Sequence, residues 1–437
     1  MNPDRDQMAK LIVAAAPLYA FVAPMRAIAS DLSRRGHDIT FLTGSRYRDC
    51  FDGIGVRFEP LTGVADFDIG RLDELVPGRN SAPPGPQRIA LDLQRLFVEP
   101  IPAQHHSLQG LLAAAGDEPV VLLQDTTFQG AAPVRYGAPG LAPAAIVGIG
   151  LAALPVSSVD TAPFGLGLPP DSSPEGRARN RAANAEVERV FCDVQGRFLA
   201  LLSGLGATEV PPFVQDNQVL MPDRYLQLTV AALEYPRSDA PPGLRYVGPL
   251  PGVADTSRPL PPWWDDVLAA RRVIVVSQGT LANRDFSELV EPALRGLADS
   301  DALVVATLGR DATLSGVPDN ARVAAFVPYS DLLPHADVFV SNGGYGGVQQ
   351  ALGFGVPMVL AGLSEDKAEI TARTAWTGAA INLATQRPTE EDIRASVEAV
   401  LSTPSYRRNA ERLRADIARH DPYGEIAATV DELSARA

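Results

Sequence analysis

The sequence has 437 residues, of which 46% are hydrophobic and 21% charged, and its formal net charge is −14. This length predicts two domains of ordinary size, and the acidic balance argues against nucleic acid or another polyanion as a partner. The two cysteines, Cys50 and Cys192, have no metal-type spacing, and no apolar run reaches the ~20 residues of a membrane span, so we expect a cytoplasmic protein without a disulfide framework.

The first fifty residues alternate between strand and helix patterns. The apolar run 11–15 is typical of a buried parallel strand, and residues 17–24 are predicted to form a loop. Apolar residues then recur at helical spacing over residues 25–32, Gly36 is a C-terminal cap, and residues 39–42 predict a second strand. A strand, a helix and a strand in this order predict a doubly wound parallel sheet.

The rest of the first half contains three further patterned segments and two loops. A helix is predicted from about residue 89 to 115, followed by a buried strand at 120–123, and residues 244–249 predict a last short strand. Residues 77–86 are an insertion rich in Pro and Gly, and residues 154–176 are predicted to be a mobile loop.

The second half repeats the alternation of strands and helices. Its predicted strands are 273–277, 303–306, 338–340 and 356–360. A helix is predicted at 286–297, and the pattern from residue 390 to the end is helical with breaks at Pro404 and Pro422.

The fold class predicted from these patterns is α/β, with two Rossmann-like domains that face a central cleft. Ligands of such sheets bind at the carboxyl ends of the strands. The predicted division is an acceptor domain at 1–248, a Pro-rich linker at 249–262, a donor domain at 263–415, and a C-terminal helix at 416–437 that packs back on the first domain.

The strongest local signal is residues 340–349, Val-Ser-Asn-Gly-Gly-Tyr-Gly-Gly-Val-Gln. A strand, a glycine-rich turn and a helix start in this order bring backbone N–H groups close to a phosphate, where the helix dipole favours negative charge. Glycine-rich turns of this kind also occur for packing reasons, so the turn alone leaves both interpretations open.

Further blocks surround this turn in a fixed order. They are Phe-Val-Pro-Tyr at 326–329, Leu-Leu-Pro-His-Ala-Asp at 332–337, the glycine-rich turn, Ala-Leu-Gly-Phe-Gly-Val-Pro at 351–357 and Glu-Asp-Lys at 365–367. Together they resemble the donor-binding segment of family-one glycosyltransferases, the GT-B enzymes of the UDP-sugar and macrolide type. The chain looks like a bacterial member of a branch with Asn-Gly-Gly-Tyr-Gly at the turn.

The resemblance implies inverting transfer of a hexosyl or deoxyhexosyl group from a UDP- or TDP-sugar to a small apolar natural product, by a monomer or homodimer that uses no cofactor or metal. Val327 would pair its backbone with the nucleobase, two glycine turns would hold the diphosphate, and residues 365–367 would bind sugar hydroxyls. The implied donor-site residues are Gly279, Thr280, Val327, Asn342, Gly344, Tyr345, Gly346, Gly347, Glu365, Asp366 and Lys367.

The sequence departs from the family at two functional positions. Asn342 stands where most members have a His that donates to a donor phosphate, and the Asn amide keeps a weaker, neutral donor. Phe21 stands where the family has the His that serves as general base, and its ring accepts no proton. Tyr19 and Phe21 are therefore expected to contact the acceptor.

Asp125 matches the carboxylate that orients the missing His, and it is the candidate catalytic base, with helix capping as the alternative role. An apolar crevice is expected to raise the pKa of Asp125. The other possible sources of proton transfer are an acidic acceptor, such as a phenol or an activated aromatic carbon, and the pair His105 and His106.

Three functional hypotheses follow from this pattern. The leading one is an inverting glycosyltransferase that uses Asp125 or the acidity of its acceptor. The second, motivated by Phe21, is a catalytically silent relative that binds nucleotide sugar or assists another transferase. The third is a nucleotide-sugar epimerase of the same architecture, but the additional carboxylates and His that such an enzyme needs near the donor are not found in the sequence.

Overall fold

The strands form two parallel sheets in a computed structural model that describes residues 9–252, 259–279 and 283–436. The strands of the first sheet are β1 (Lys10–Ala14), β2 (Asp38–Thr43), β3 (Arg57–Pro60), β4 (Val120–Asp125), β5 (Ala145–Gly150), β6 (Arg224–Gln227) and β7 (Leu244–Tyr246). Those of the second sheet are β8 (Val273–Ser277), β9 (Leu303–Thr307), β10 (Ala321–Ala324), β11 (Val338–Ser341), β12 (Met358–Leu360) and β13 (Ala380–Asn382).

Helices connect the strands and cover the sheets. In the first half they are α1 (Tyr19–Arg34), α2 (Leu72–Leu75), α3 (Pro86–Asp92), α4 (Ile101–Ala115), α5 (Ala132–Arg135), α6 (Pro174–Val190), α7 (Cys192–Gly204) and α8 (Val214–Leu220). In the second half they are α9 (Trp264–Ala269), α10 (Val290–Gly296), α11 (Tyr329–Leu332), α12 (Tyr345–Gly353), α13 (Lys367–Trp376), α14 (Glu390–Ser402), α15 (Pro404–Ile417) and α16 (Pro422–Ser434). Among the described residues, no helix combines the length and the apolar character that crossing a membrane requires.

Both sheets reverse their strand order once. The first runs β3-β2-β1-β4-β5-β6-β7 and the second β10-β9-β8-β11-β12-β13, so the reversals lie between β1 and β4 and between β8 and β11. A doubly wound sheet opens a crevice at such a switch point, outside the carboxyl ends of the strands. The predicted α/β class with two Rossmann-like halves is confirmed, and the two switch points locate the candidate site.

The cores of the two halves explain why these segments fold as they do. The inner strands β1, β4, β8 and β11 are buried on both faces, as expected for parallel strands covered by helices. Helix α16 joins the core of the first sheet, where Ile426, Val430 and Leu433 pack with residues of β1 and α1. The last helix of the chain thus packs on the first sheet.

The structure corrects two local predictions. Residues 17–24 are not a loop, because α1 already begins at Tyr19 and contains Pro24. A proline is unfavourable inside a helix, but the buried face that includes Val22 and Met25 outweighs that cost here. The single helix predicted over 89–115 is divided into α3 and α4, with a π-helical turn at Leu93–Val98 between them.

Candidate active site

The glycine-rich turn lies at the switch point of the second sheet, between β11 and α12. Gly344 is the N-cap of α12, and no side chain caps that end of the helix. The first N–H groups of a helix have no partner inside it, and a methyl group built on Gly346 would meet no atom within 4 Å. Gly343 has φ +82°, and a side chain there would collide with the methyl of Thr371, which explains the need for glycine. The start of α12 therefore has no side-chain cap, and the space beside Gly346 is open.

A second glycine turn lies beside the first, after the neighbouring strand β8. The side-chain amide of Asn342 donates to the backbone carbonyl of Gln278, and Asn342 is buried. Gly279 has φ +75°, and a Cβ built there would lie 3.7 Å from the Asn342 side-chain oxygen. The structure therefore brings Gly279 and Asn342 together, whereas Thr280 lies outside the described residues.

Val327 lies in the loop between α11 and β10, which is the edge strand of the second sheet. Its side chain is buried in the core of the second half. Neither its backbone N–H nor its C=O is hydrogen-bonded to another group within the described parts of the chain. An extended residue with both backbone groups unpaired is able to hydrogen-bond the edge of a heterocyclic base.

Residues 365–367 lie at the start of α13, of which Lys367 is the first residue, and form a dense charged group. The Glu365 carboxylate accepts from the Ser364 hydroxyl at 2.6 Å and pairs with the Lys367 ammonium. Lys367 is buried, and its stem lies beside Gly362, against the end of the Asn342 turn. Asp366 is half-buried, and burial raises the pKa of its carboxyl group while the Lys367 charge opposes the shift.

On the other side of the cleft, the first turn of α1 carries the predicted acceptor residues. Tyr19 is 59% exposed, and Phe21 is half-buried, with its ring centre 6.3 Å from that of Phe97. The position that the resemblance assigns to the general base thus belongs to an aromatic pair. This surface suits an apolar, ring-bearing molecule and offers no proton acceptor at Phe21.

Asp125 ends β4 at the first switch point and is fully buried. One of its oxygens accepts from the backbone N–H of Ala16 at 2.6 Å, and the other accepts from both the N–H and the hydroxyl of Thr127 at 2.6 Å. Burial raises the pKa of Asp125, as expected, although its hydrogen bonds oppose that shift. Both oxygens are therefore occupied by the loops that follow β1 and β4.

The two histidines proposed as alternatives lie on α4. His105 is buried, and its Nδ1 is 3.0 Å from the carbonyl oxygen of Gly130. His106 is exposed. His105 is thus engaged inside the first half, and neither histidine has a described contact with Asp125 or Phe21.

Tyr345 connects the two halves of the molecule. It is the first residue of α12, so its backbone N–H belongs to the turn, but its hydroxyl lies 2.8 Å from the Gln227 side-chain nitrogen and 3.3 Å from the Leu228 carbonyl oxygen. Gln227 is the last residue of β6 in the first sheet. The carboxyl edges of the two sheets therefore face each other across the cleft.

Sequence reasoning missed the residues that join the two halves. Glu234 and Arg373 form a buried ion pair at 2.9 Å, and Glu369 accepts from the backbone N–H groups of Gly165 and Gly167 at 2.8 Å each. The two Glu369 hydrogen bonds attach residues 154–176, the segment predicted as a mobile loop, to α13. The partners are separated by more than a hundred residues, so no local pattern signals them.

Comparisons with known proteins agree with this architecture. A family model described as "Erythromycin biosynthesis protein CIII-like, C-terminal domain" matches residues 291–433. UDP-glycosyltransferase 2 of Phaeomoniella chlamydospora is 46% identical over 436 residues, which cover 97% of this chain and 96% of that protein. The 4'-demethylrebeccamycin synthase of Lentzea aerocolonigenes is 39% identical over 417 residues, which cover 94% and 96%.

Solved structures show the same fold. The glycotransferase of kitacinnamycin superposes with a TM-score of 0.72 at 22% identity, over 98% of this chain and 99% of that one. The calicheamicin glycosyltransferase CalG4 gives a TM-score of 0.68 at 20% identity. Because several of the most similar relatives are fungal, the expectation of a bacterial protein is not supported.

Proposed function

This chain belongs to the family-one glycosyltransferases, which have the GT-B fold, and from that premise we propose that it transfers a sugar with inversion from a UDP- or TDP-sugar to a small apolar natural product. We propose the Pro-rich stretch 249–262 as the boundary between an acceptor domain and a donor domain. The single observation that carries the proposal is the uncapped start of α12, which faces the cleft beside the Gly279 turn.

The donor is proposed to bind along the carboxyl edge of the second sheet. Val327 offers both backbone groups to the nucleobase, and the diphosphate lies against the N–H groups of residues 344–347 and beside Gly279 and Thr280. The developing charge on the leaving diphosphate is stabilised by these donors and by the helix dipole. Asn342 has its side-chain amide on the Gln278 carbonyl, and we propose that it fixes the second turn for the diphosphate.

Asp366 is the proposed ligand of sugar hydroxyls, because among the described residues its half-buried carboxylate accepts from no other side chain and is bonded only to its own backbone N–H. Glu365 and Lys367 already pair with each other, and we propose that they shape the sugar pocket beside it.

Removal of the acceptor proton is the open step, with Asp125 and the acceptor's own acidity as the candidates. Both oxygens of Asp125 are hydrogen-bonded within the protein, which favours the acceptor's acidity. A phenol or an activated aromatic carbon loses its proton without the general-base help that is typically worth ~10²–10⁴-fold in rate. Tyr19 and Phe21 are proposed to hold such a ring at the start of α1.

The test is to titrate the protein with UDP and TDP by calorimetry and then to assay UDP- and TDP-sugars with phenolic, macrocyclic and aliphatic alcohol acceptors. We expect one diphosphate to bind, diphosphate release with a phenol, and an inverted anomeric centre in the product by NMR. If neither diphosphate binds, the proposed function is wrong.

A second candidate function, favoured by Phe21, is a silent protein that binds nucleotide sugar or assists another transferase. It predicts diphosphate binding without transfer to any acceptor, and transfer after Phe21→His.

A further inference from the structure

A chain of charged groups crosses the cleft from the first domain to the sugar end of the donor site. Arg79 lies between α2 and α3 and is only 8% exposed. Its Nε donates to both carboxylate oxygens of Asp92, at 2.8 and 3.0 Å, and its Nη2 donates to Glu365 Oε1 at 3.0 Å. The guanidinium is therefore fixed within its own domain and extends one donor across to the other.

On the far side, one carboxylate is shared between two cations. Glu365 binds Arg79 through one oxygen and Lys367 through the other. Burial alone would raise the pKa of Glu365, but the Lys367 and Arg79 charges and a hydroxyl hydrogen bond lower it to about 2. Glu365 has φ +52°, a backbone conformation that is strained for a residue with a side chain and that persists only where its surroundings hold it.

A contribution to the stability of the fold does not by itself explain the ion pair between Arg79 and Glu365. The Glu365 side chain is 39% exposed, and ion pairs with an exposed partner contribute only ~0–1 kcal/mol. The bridge also joins residues 286 positions apart, at the segment proposed to bind the sugar. The strained backbone of Glu365 and the carboxylate that it shares between two cations are better explained if the site requires this side chain to hold one fixed position.

We infer that Arg79 is a positioning residue for the donor sugar, an inference that rests on the proposed function. It holds the Glu365 carboxylate away from a simple pair with Lys367, and so fixes both side chains beside Asp366. Without Arg79, Glu365 is free to turn fully toward Lys367, and the charged wall of the sugar pocket changes shape. The acceptor domain thereby takes part in binding the donor sugar, but not its diphosphate.

The test compares two ligands that differ only in the sugar. The first ligand is the diphosphate that the wild-type protein binds, UDP or TDP, and the second is the glucose conjugate of that diphosphate. Both are titrated by calorimetry. For Arg79→Met we expect the affinity for the nucleotide sugar to fall about tenfold, as for the loss of a charge-assisted contact. The affinity for the free diphosphate should stay within twofold, and the donor KM should rise more than kcat falls.

Arg88→Met is the matched control, because Arg88 lies in the same segment and, within the described ranges, its side chain donates only to the carbonyl of Ala82. It should leave both affinities unchanged. Because Arg79→Met leaves Asp92 unpaired and risks misfolding, Glu365→Gln and the double variant Arg79→Met/Asp92→Asn test the same bridge from its other groups.

Equal weakening of both ligands, or no weakening of either, in variants that fold would overturn the role of Arg79. A wild-type protein that binds neither ligand would instead contradict the proposed function, so the two failures are distinguishable. If Glu365→Gln and Arg79→Met each weaken only the sugar nucleotide and their effects are not additive, the bridge is the cause.

Discussion

The two switch points of the molecule differ in what they present to the cleft. Between β8 and β11, the start of α12 has no side-chain cap, and a methyl group built on Gly346 would meet no atom within 4 Å. Between β1 and β4, the carboxylate of Asp125 is fully buried and bonded to the loops around it, and the neighbouring helix begins with aromatic side chains. Backbone donors need no particular side chain, whereas proton abstraction needs an accessible base.

This difference teaches that the two tasks of a transferase depend on different parts of the sequence. In the proposed function, the backbone geometry of the second half holds and stabilises the diphosphate, so it would tolerate Asn342 in place of a charged donor. Accepting a proton would depend on one side chain in the first half, and the ring of Phe21 cannot do so. The variants below test each side of this comparison.

The largest effect is expected for Asn342→Asp. The change puts a negative charge next to the proposed diphosphate and replaces the amide that donates to the Gln278 carbonyl. Like charges in a buried site repel by several kcal/mol, so we expect the affinity for UDP or TDP to fall about 10²-fold or more. Calorimetry measures the change, with circular dichroism to verify folding.

Asn342→His is the control for that variant. A histidine has an ordinary pKa of about 6.5, so it should bind the diphosphate more tightly at pH 6 than at pH 8. Retention of wild-type affinity by Asn342→Asp would show that the diphosphate lies elsewhere.

The next largest effect is a gain in rate for Phe21→His with an aliphatic alcohol as acceptor. If the first half lacks an accessible base, a histidine at the start of α1 should raise kcat by about 10²-fold, and much less for a phenol. The gain should appear as the pH rises through about 6.5, since only the neutral imidazole accepts a proton. Phe21→Asn has a polar side chain without a base, and an equal gain in that variant would contradict the explanation.

Asp125→Asn should change stability more than chemistry. An Asn has only one acceptor oxygen, so its amide group would face a donor, either the Ala16 N–H or those of Thr127. We expect a loss of ~1–3 kcal/mol in the free energy of unfolding from urea denaturation. With a phenol acceptor, kcat of the folded protein should change less than about threefold, whereas loss of a general base typically costs ~10²-fold or more.

The pH dependence of that variant gives a second measurement. Burial raises the pKa of Asp125 in the folded protein, so the folded state holds the proton more tightly than the unfolded state. The stability from this group is therefore fully present below about pH 4, the ordinary Asp value, and is lost as the pH rises through the folded pKa. Asp125→Asn should lack this slope, and an unchanged slope would assign it to another group.

The sequence was sufficient for the parts of the fold that local pattern determines. The strands β1, β4, β8 and β11 each contain an uninterrupted apolar run that is followed by polar or turn residues, so their carboxyl ends and the Asn342 turn were predictable. Apart from the loop predicted at 154–176, residues 145–227 were not assigned to any element, although they contain β5, β6, α6, α7 and α8. The glycines of β5 and the polar composition of α6 hide a strand and a helix that tertiary packing stabilises.

The contacts across the cleft were not predictable for a different reason. Arg79 and Glu365 are 286 residues apart, and Tyr345 and Gln227 are 118 apart, so their proximity depends on how the two domains meet. The sequence predicts Glu365 and Tyr345 as site residues but gives no indication of their partners. It also identified Asp125 correctly as a strand-end carboxylate, while its complete burial follows from loops that only the structure places.

The smallest effect is expected for Tyr345→Phe, which tests whether the two sides of the cleft act together. The variant keeps the ring and the backbone N–H of residue 345 but loses the hydroxyl contacts with Gln227 and Leu228. Gln227 still donates to the Ala152 carbonyl at 2.6 Å, so little is left unpaired, and we expect a loss of only ~0.5–1.5 kcal/mol in stability. The diphosphate affinity should not change, because the helix N-terminus is intact.

Tyr329→Phe is the matched control, since the Tyr329 hydroxyl bonds Ser277 and Thr307 within the second half. If domain contact orients the acceptor against the donor, kcat for transfer should fall severalfold in Tyr345→Phe and not in Tyr329→Phe at equal loss of stability. A fall in diphosphate affinity for Tyr345→Phe would mean that the hydroxyl also serves the donor side. Equal kcat in the two variants would mean that the uncapped helix and the aromatic surface act independently, each fixed by its own domain.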